Sequence, residues 1–178
     1  MNLNVSKIPS EFKKSVPKGF RLIKRNQRDF LLVESLYCPN GHNLMVDNVR
    51  IHDEASIKLK VDIKKKSGYL FIDAFWGSHT KLFSFVPDSA DNNTYVKTYC
   101  PYCDVDLSEN FICDQEDCKS EKCFILLLPG GRNKIHVCAR LGCPGHILEI
   151  NELPHEMIET VSKINFFGAG TEEIFGGI

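Results

Sequence analysis

A mainly β, small α+β fold is expected of this chain, and three features of the sequence predict it. Ser56 to Lys64 alternates cleanly, with Ile57, Leu59, Val61 and Ile63 on one side and Lys58, Lys60, Asp62 and Lys64 on the other. That period of two belongs to a strand with one wet face. Short apolar runs separated by turn-forming residues recur from there to Ile150, whereas only one segment has helical spacing. Eight cysteines, six of them in closely spaced pairs, supply cross-links that short strands need.

The elements follow in order. Residues 1–30 read as a basic arm, with Lys7, Lys13, Lys14, Lys18, Arg21, Lys24, Arg25 and Arg28 against Glu11 and Asp29. Phe12, Val16, Phe20, Leu22 and Ile23 interleave with these charges, so the arm is expected to pack on something. Residues 31–37 form a short element leading into Cys38. A β unit spans 43–99: Lys65-Lys66-Ser67-Gly68 is read as a turn pairing the Ser56 strand with Tyr69–Phe75, and Lys81–Val86 and Thr94–Tyr99 are further strands. Phe124–Leu128 and Lys134–Val137 flank Pro129-Gly130-Gly131-Arg132-Asn133, a hairpin signal, and Ile147–Ile150 is one more strand. Asn151 is expected to cap a helix with Pro154 in its first turn and Met157, Ile158, Val161 and Ile164 as its apolar stripe. The expected organisation is arm (1–30), β domain (31–103), metal hairpin module (104–150), then helix and apolar tail (151–178).

Composition excludes several classes. At 178 residues, 43% apolar and 25% charged, the chain has globular values. Its longest apolar run, Phe124–Leu128, is far short of the roughly 20 residues that span a bilayer, so no membrane partner is expected. Met1–Lys7 lacks the apolar stretch of a secretory signal, and the cytoplasm is the expected location. The net charge of −1 argues against a polyanion binder as a whole. The basic arm keeps nucleic acid open as a partner through residues 1–30.

The chemistry lies in the cysteines and two histidines. The pattern is Cys38-x3-His42, then Cys100-x2-Cys103, then Cys113-x4-Cys118-x4-Cys123, then Cys138-x4-Cys143-x2-His146. Zinc takes about four sulfur or nitrogen ligands in a tetrahedron, two from one tight turn and two from elsewhere in the chain. Cys38-Pro39-Asn40-Gly41-His42 and Cys100-Pro101-Tyr102-Cys103 share a Cys-Pro opening, and each follows a strand-like segment. Cys38, His42, Cys100 and Cys103 are therefore expected to form one site, with the β unit inserted between its halves. Six residues compete for a second site: Cys113, Cys118, Cys123, Cys138, Cys143 and His146. The hairpin favours Cys113, Cys118, Cys138 and Cys143; His146 in place of Cys138 or Cys143 is the close alternative, and Cys123, which opens an apolar strand, is read as the spare.

The loop–hairpin–loop of residues 100–146 resembles the zinc-ribbon and rubredoxin-like metal folds, with Cys100-Pro101-Tyr102-Cys103 closest to their knuckle. The resemblance covers under a third of the chain and implies a fold and a metal, not an activity. Its x4 spacings depart from the x2 usual in that group.

Disulfides disagree with the expected reducing compartment. No Cys-x-His precedes Cys143-x2-His146 as a Rieske centre would need, and no His-Glu-x-x-His or deaminase signature occurs. The favoured function is a non-catalytic protein with two structural zinc ions, acting as an interaction or adaptor module on a protein partner. Nucleic-acid binding through the arm is the alternative. An enzyme using an open zinc position or Cys123 is the second. Trp76-Gly77-Ser78-His79, on a loop, is the remaining candidate pocket lining. The acidic stretch from Asp104 to Glu121 reads as a solvated face.

Overall fold

A computed structural model describes residues 8–78, 80–87 and 94–166. It is mostly antiparallel β with two short helices. Residues 1–7, His79, the middle of the acidic-polar loop (88–93) and the tail after Phe166 lie outside the described residues.

The segment read as a basic arm is folded from residue 8 onwards. Helix α1 (Ser10–Lys14) buries Phe12 completely. Strands β1 (Phe20–Arg25) and β2 (Arg28–Val33) form a hairpin. Its two-residue turn, Asn26-Gln27, has both φ angles positive (49° and 64°), the twist that suits a tight hairpin. The cations of this region meet nearby acids: Lys13 and Lys24 at Asp29, and Arg21 and Arg25 at Glu54. Apolar residues between them enter the core, Phe20 and Phe30 stacking edge-on against Trp76 and Phe75.

A five-stranded sheet follows, built from β3 (Met45–Ile51), β4 (Glu54–Ile63), β5 (Lys66–Ile72), β6 (Lys81–Phe83) and β7 (Lys97–Tyr99). The alternation of the Ser56 strand appears as expected: Ile57, Leu59, Val61 and Ile63 are buried. The turn after it is shorter than the four residues read from the sequence, because Ile63 already pairs with Lys66. Strand β4 has ten residues, long enough to pair with two segments along one edge. Its first half takes β3, with Met45 opposite Ile57; its second takes β7, with Tyr99 opposite Lys60.

A four-stranded sheet holds β8 (Ser108–Asn110), β9 (Lys122–Leu127), β10 (Lys134–Cys138) and β11 (His146–Glu149), in the order β11-β10-β9-β8. Here too one edge is shared. β9 takes β8 opposite Lys122–Phe124, and Tyr37 opposite Leu127. Helix α2 (His155–Ser162) starts four residues after the expected cap at Asn151; Pro154 occupies the cap position without a side-chain bond. Its Ile158 and Val161 are buried, as is Ile164 just beyond it. One continuous cluster of buried apolar side chains extends from Ile8 to Phe166.

Gly19 is a tight joint in this core. Its φ is +98°, and a Cβ there would lie 2.6 Å from Pro129 Cδ and 3.0 Å from the Ser35 carbonyl. Left-handed backbone costs an L-residue about 1–2 kcal/mol and overpacking a similar amount. Gly19→Ala is therefore expected to destabilise the chain by about 2–4 kcal/mol, read as a lower midpoint in urea at unchanged slope.

Candidate metal centres

The first cluster grows out of the two shared edges. β7 runs along β4 and ends at Tyr99; β3 begins at Met45, three β4 residues away. The chain just before β3 and the chain just after β7 therefore meet in one gap. Leu44 fills part of it, its carbonyl accepting the Lys58 N–H at 2.8 Å. On the far side, Tyr37 exchanges two backbone bonds with Leu127, and the Leu107 carbonyl accepts from Ile125. Each knuckle thus has one arm on the β4 sheet and the other on the β9 sheet.

The two knuckles fold alike. Cys38 N–H donates to the His42 carbonyl and Gly41 N–H to the Cys38 carbonyl. Cys100 N–H donates to the Val105 carbonyl and Asp104 N–H to the Cys100 carbonyl. Each turn needs one left-handed residue, supplied by Gly41 (φ 87°) and Asp104 (φ 58°). Backbone amides are also spent on sulfur: His42 N–H points at Cys38 Sγ and Tyr102 N–H at Cys100 Sγ, both at 3.4 Å. The Cys103 thiol is drawn down to about 6, chiefly by the Val105 N–H and then by Asn40 Nδ2. Burial pushes the Cys100 thiol up to about 11.

One donor atom each from Cys38, His42, Cys100 and Cys103 lies within 4.8 Å of all the others. A zinc ion with its usual bond lengths puts tetrahedral S···S edges at about 3.8 Å and S···N edges at about 3.5 Å. Cys38 Sγ lies 3.9 Å from Cys103 Sγ and 3.4 Å from His42 Nδ1. The donor set has the size of a tetrahedral ligand shell and is far too open for a disulfide near 2.0 Å.

The second cluster joins the loop before β9 to the loop after β10. Cys113, Cys118, Cys138 and Cys143 again lie within 4.8 Å of one another, with Cys113–Cys143 at 3.7 Å and Cys118–Cys138 at 3.6 Å. Hydrogen bonds from Cys113 and Cys143 hold the Cys138 thiol low, while the Cys113 thiol is pushed up. Both clusters together fit zinc-binding folds in general.

His146 stands outside both clusters. Its Nδ1 lies 3.0 Å from the Pro144 carbonyl and its Nε2 2.9 Å from the Ile164 carbonyl, with the ring edge-on to Trp76. Burial lowers its pKa. Cys123 also stands apart, buried opposite Cys138 in the β9–β10 ladder, 3.7 Å from His136 Nδ1. Burial and the Glu109 carboxylate push its thiol up to about 12. Trp76 is core, donating its indole N–H to the Val161 carbonyl.

His52, in the β3–β4 turn, has its Nδ1 2.6 Å from Asp73, a buried carboxylate that also accepts from Ser78. The two meet because β5 brings Asp73 next to the His52-Asp53 turn, a tertiary pairing with no local signal.

Gly145 leaves no room at the second cluster. A Cβ there would fall 2.5 Å from Cys113 Sγ. Gly145→Ala is expected to push that sulfur out of place and lower metal retention at the second site alone, leaving one tightly held metal per chain by elemental analysis.

Comparison of the chain with family models, with curated proteins and with solved structures gives no match. Among the described residues, no helix is long and apolar enough to cross a membrane.

Proposed function

We propose that the chain is a non-catalytic zinc protein whose two structural ions hold a β scaffold for interaction with a protein partner. The observation that carries this reading is the make-up of the first cluster. Its four donors sit on two knuckles, each anchored on both sheets, so an ion there clamps the two sheets together. Zinc suits thiolate-rich tetrahedral sites, and four protein donors per cluster is the complement of a closed structural site. A catalytic site keeps one position open. The zinc-ribbon likeness applies to the second module, where both ligand loops lie at the open end of the β9–β10 hairpin. Eight free thiols suit a reducing compartment such as the cytoplasm.

The interaction role is supported by apolar side chains exposed at the metal loops: Tyr102 beside His42, and Phe111 and Ile112 ahead of Cys113. The ion pairs of Lys13, Lys24, Arg21 and Arg25 weigh against nucleic acid as the partner, since those cations already face acids.

Cobalt substitution tests the structural reading. Two tetrahedral Co(II) centres are expected, with absorption bands that do not move when azide or cyanide is added. Bands that shift on addition mark an open coordination position and overturn the non-catalytic reading.

A further inference from the structure

Lys81 opens β6 opposite Ile72 and stands at the junction of two cavities. One, of about 50 Å³, lies between the sheets beside Asp73 and His146. The other, of about 270 Å³, is walled by Leu70, Phe83, Val96 and Phe124 and reaches Cys138 and Cys143. An ammonium among apolar walls is costly unless an anion faces it. Among the described residues no carboxylate forms an ion pair with Lys81. Asp73 is engaged by the Phe75 N–H, Ser78 Oγ and His52. The groups that line the larger cavity with Lys81 and become negative when a metal ionises them are the sulfurs of Cys138 and Cys143.

A second cation flanks the same cluster. Arg140 donates from Nη1 to the Cys118 carbonyl at 2.9 Å and lines the larger cavity together with Cys138 and Cys143. Among the described residues the first cluster has no such pair: Asn40 is its side-chain donor, and nearby Lys60 is tied to Asp104 at 2.7 Å.

We propose that Lys81 and Arg140 are the counter-charges of the second cluster, which makes it a site for a divalent cation held by four ionised thiolates. The inference rests on the metal reading above and deepens it. Four thiolates around a divalent ion carry a net charge of minus two, which two cations cancel. Three thiolates and a neutral imidazole around the same ion carry minus one, a smaller charge that backbone and amide donors can spread. A monovalent soft cation such as Cu(I) would leave the second cluster one charge short of balance, so the pair selects for charge as well as for softness. Lys81 thus acts on the metal through its ligands, as outer-shell partners do.

The test compares full-length Lys81→Met and Lys81→Arg chains, loaded with zinc, by competition with a coloured chelator. Outer-shell substitutions typically cost 10–100-fold in metal affinity. Lys81→Met is expected to weaken one of the two zinc ions by that factor and leave the other unchanged, while Lys81→Arg retains near wild-type affinity. In the cobalt form, Lys81→Met is expected to keep the bands of the three-sulfur, one-nitrogen site and lose those of the four-sulfur site first. Equal affinities for both ions in Lys81→Met and wild type overturn the proposal, as does a parallel loss of both. Should Lys81→Met not fold, Arg140→Met gives the same reading: selective weakening of the four-sulfur site supports the proposal, and its absence overturns it. Wild-type chain that binds no zinc at all refutes the metal reading itself, a result distinct from these.

Discussion

Chelation at neutral pH is expected to unfold this protein. Structural zinc contributes about 10–16 kcal/mol in small peptides, against a net domain stability of about 5–15 kcal/mol. Losing contributions of that size from both sites at once exceeds what the fold can lose. The sheets explain why. β8 and β7 have three residues each, and the segments that join the β4 sheet to the β9 sheet at the first cluster are single bridge pairs. Such contacts do not persist without something to hold the knuckles in register. With excess chelator, far-UV circular dichroism is expected to lose its β signal and the thermal transition to disappear, both returning when zinc is restored. An unchanged melting curve in metal-free protein contradicts this.

Among single substitutions, Cys100→Ser and Cys123→Ala are expected to differ most. Both cysteines are buried, and both lie on or beside a strand. Cys100 Sγ belongs to the first cluster, so its loss removes a ligand, one metal ion and the clamp between the sheets. Cys100→Ser is expected to hold one zinc at most and to be largely insoluble or unfolded at 37 °C. Cys123 contributes a small apolar volume and a contact with His136. Cys123→Ala is expected to cost about 1–2 kcal/mol, in line with a small cavity and one lost weak hydrogen bond, and to keep both ions. Metal content and urea midpoints of the two variants check this; loss of metal from Cys123→Ala would show that the spare cysteine is a ligand.

The sequence carried the ligand loops more clearly than the strands around them. Cys-Pro turns are local features whose chemistry is written in adjacent residues, and the first cluster forms from the four residues that this reading selects. The second cluster required a choice among six, which hydropathy decided: Cys123 opens the run Phe124–Leu128 and goes inward with it. His146 shares the Cys-Pro motif, but the strand β11 and the chain after α2 enclose it and supply backbone carbonyls on both sides. Nothing local distinguishes that environment from a ligand position. The β1–β2 hairpin was hidden for a different reason. Its exposed positions are charged, all but Asp29 basic, and its turn is Asn26-Gln27, without glycine, so charge dominated the pattern while Phe20, Phe30 and Leu32 went to the core. Strands β7 and β8 are three residues long, too short for any periodicity to register.

Metal content per chain tests the central claim most directly, measured by elemental analysis on protein purified without added metal, with thiols titrated before and after denaturation. Two zinc ions per chain are expected, with eight titratable thiols once the chain is denatured and the metal chelated. Iron in place of zinc, or no metal with the cysteines oxidised in pairs, contradicts the account.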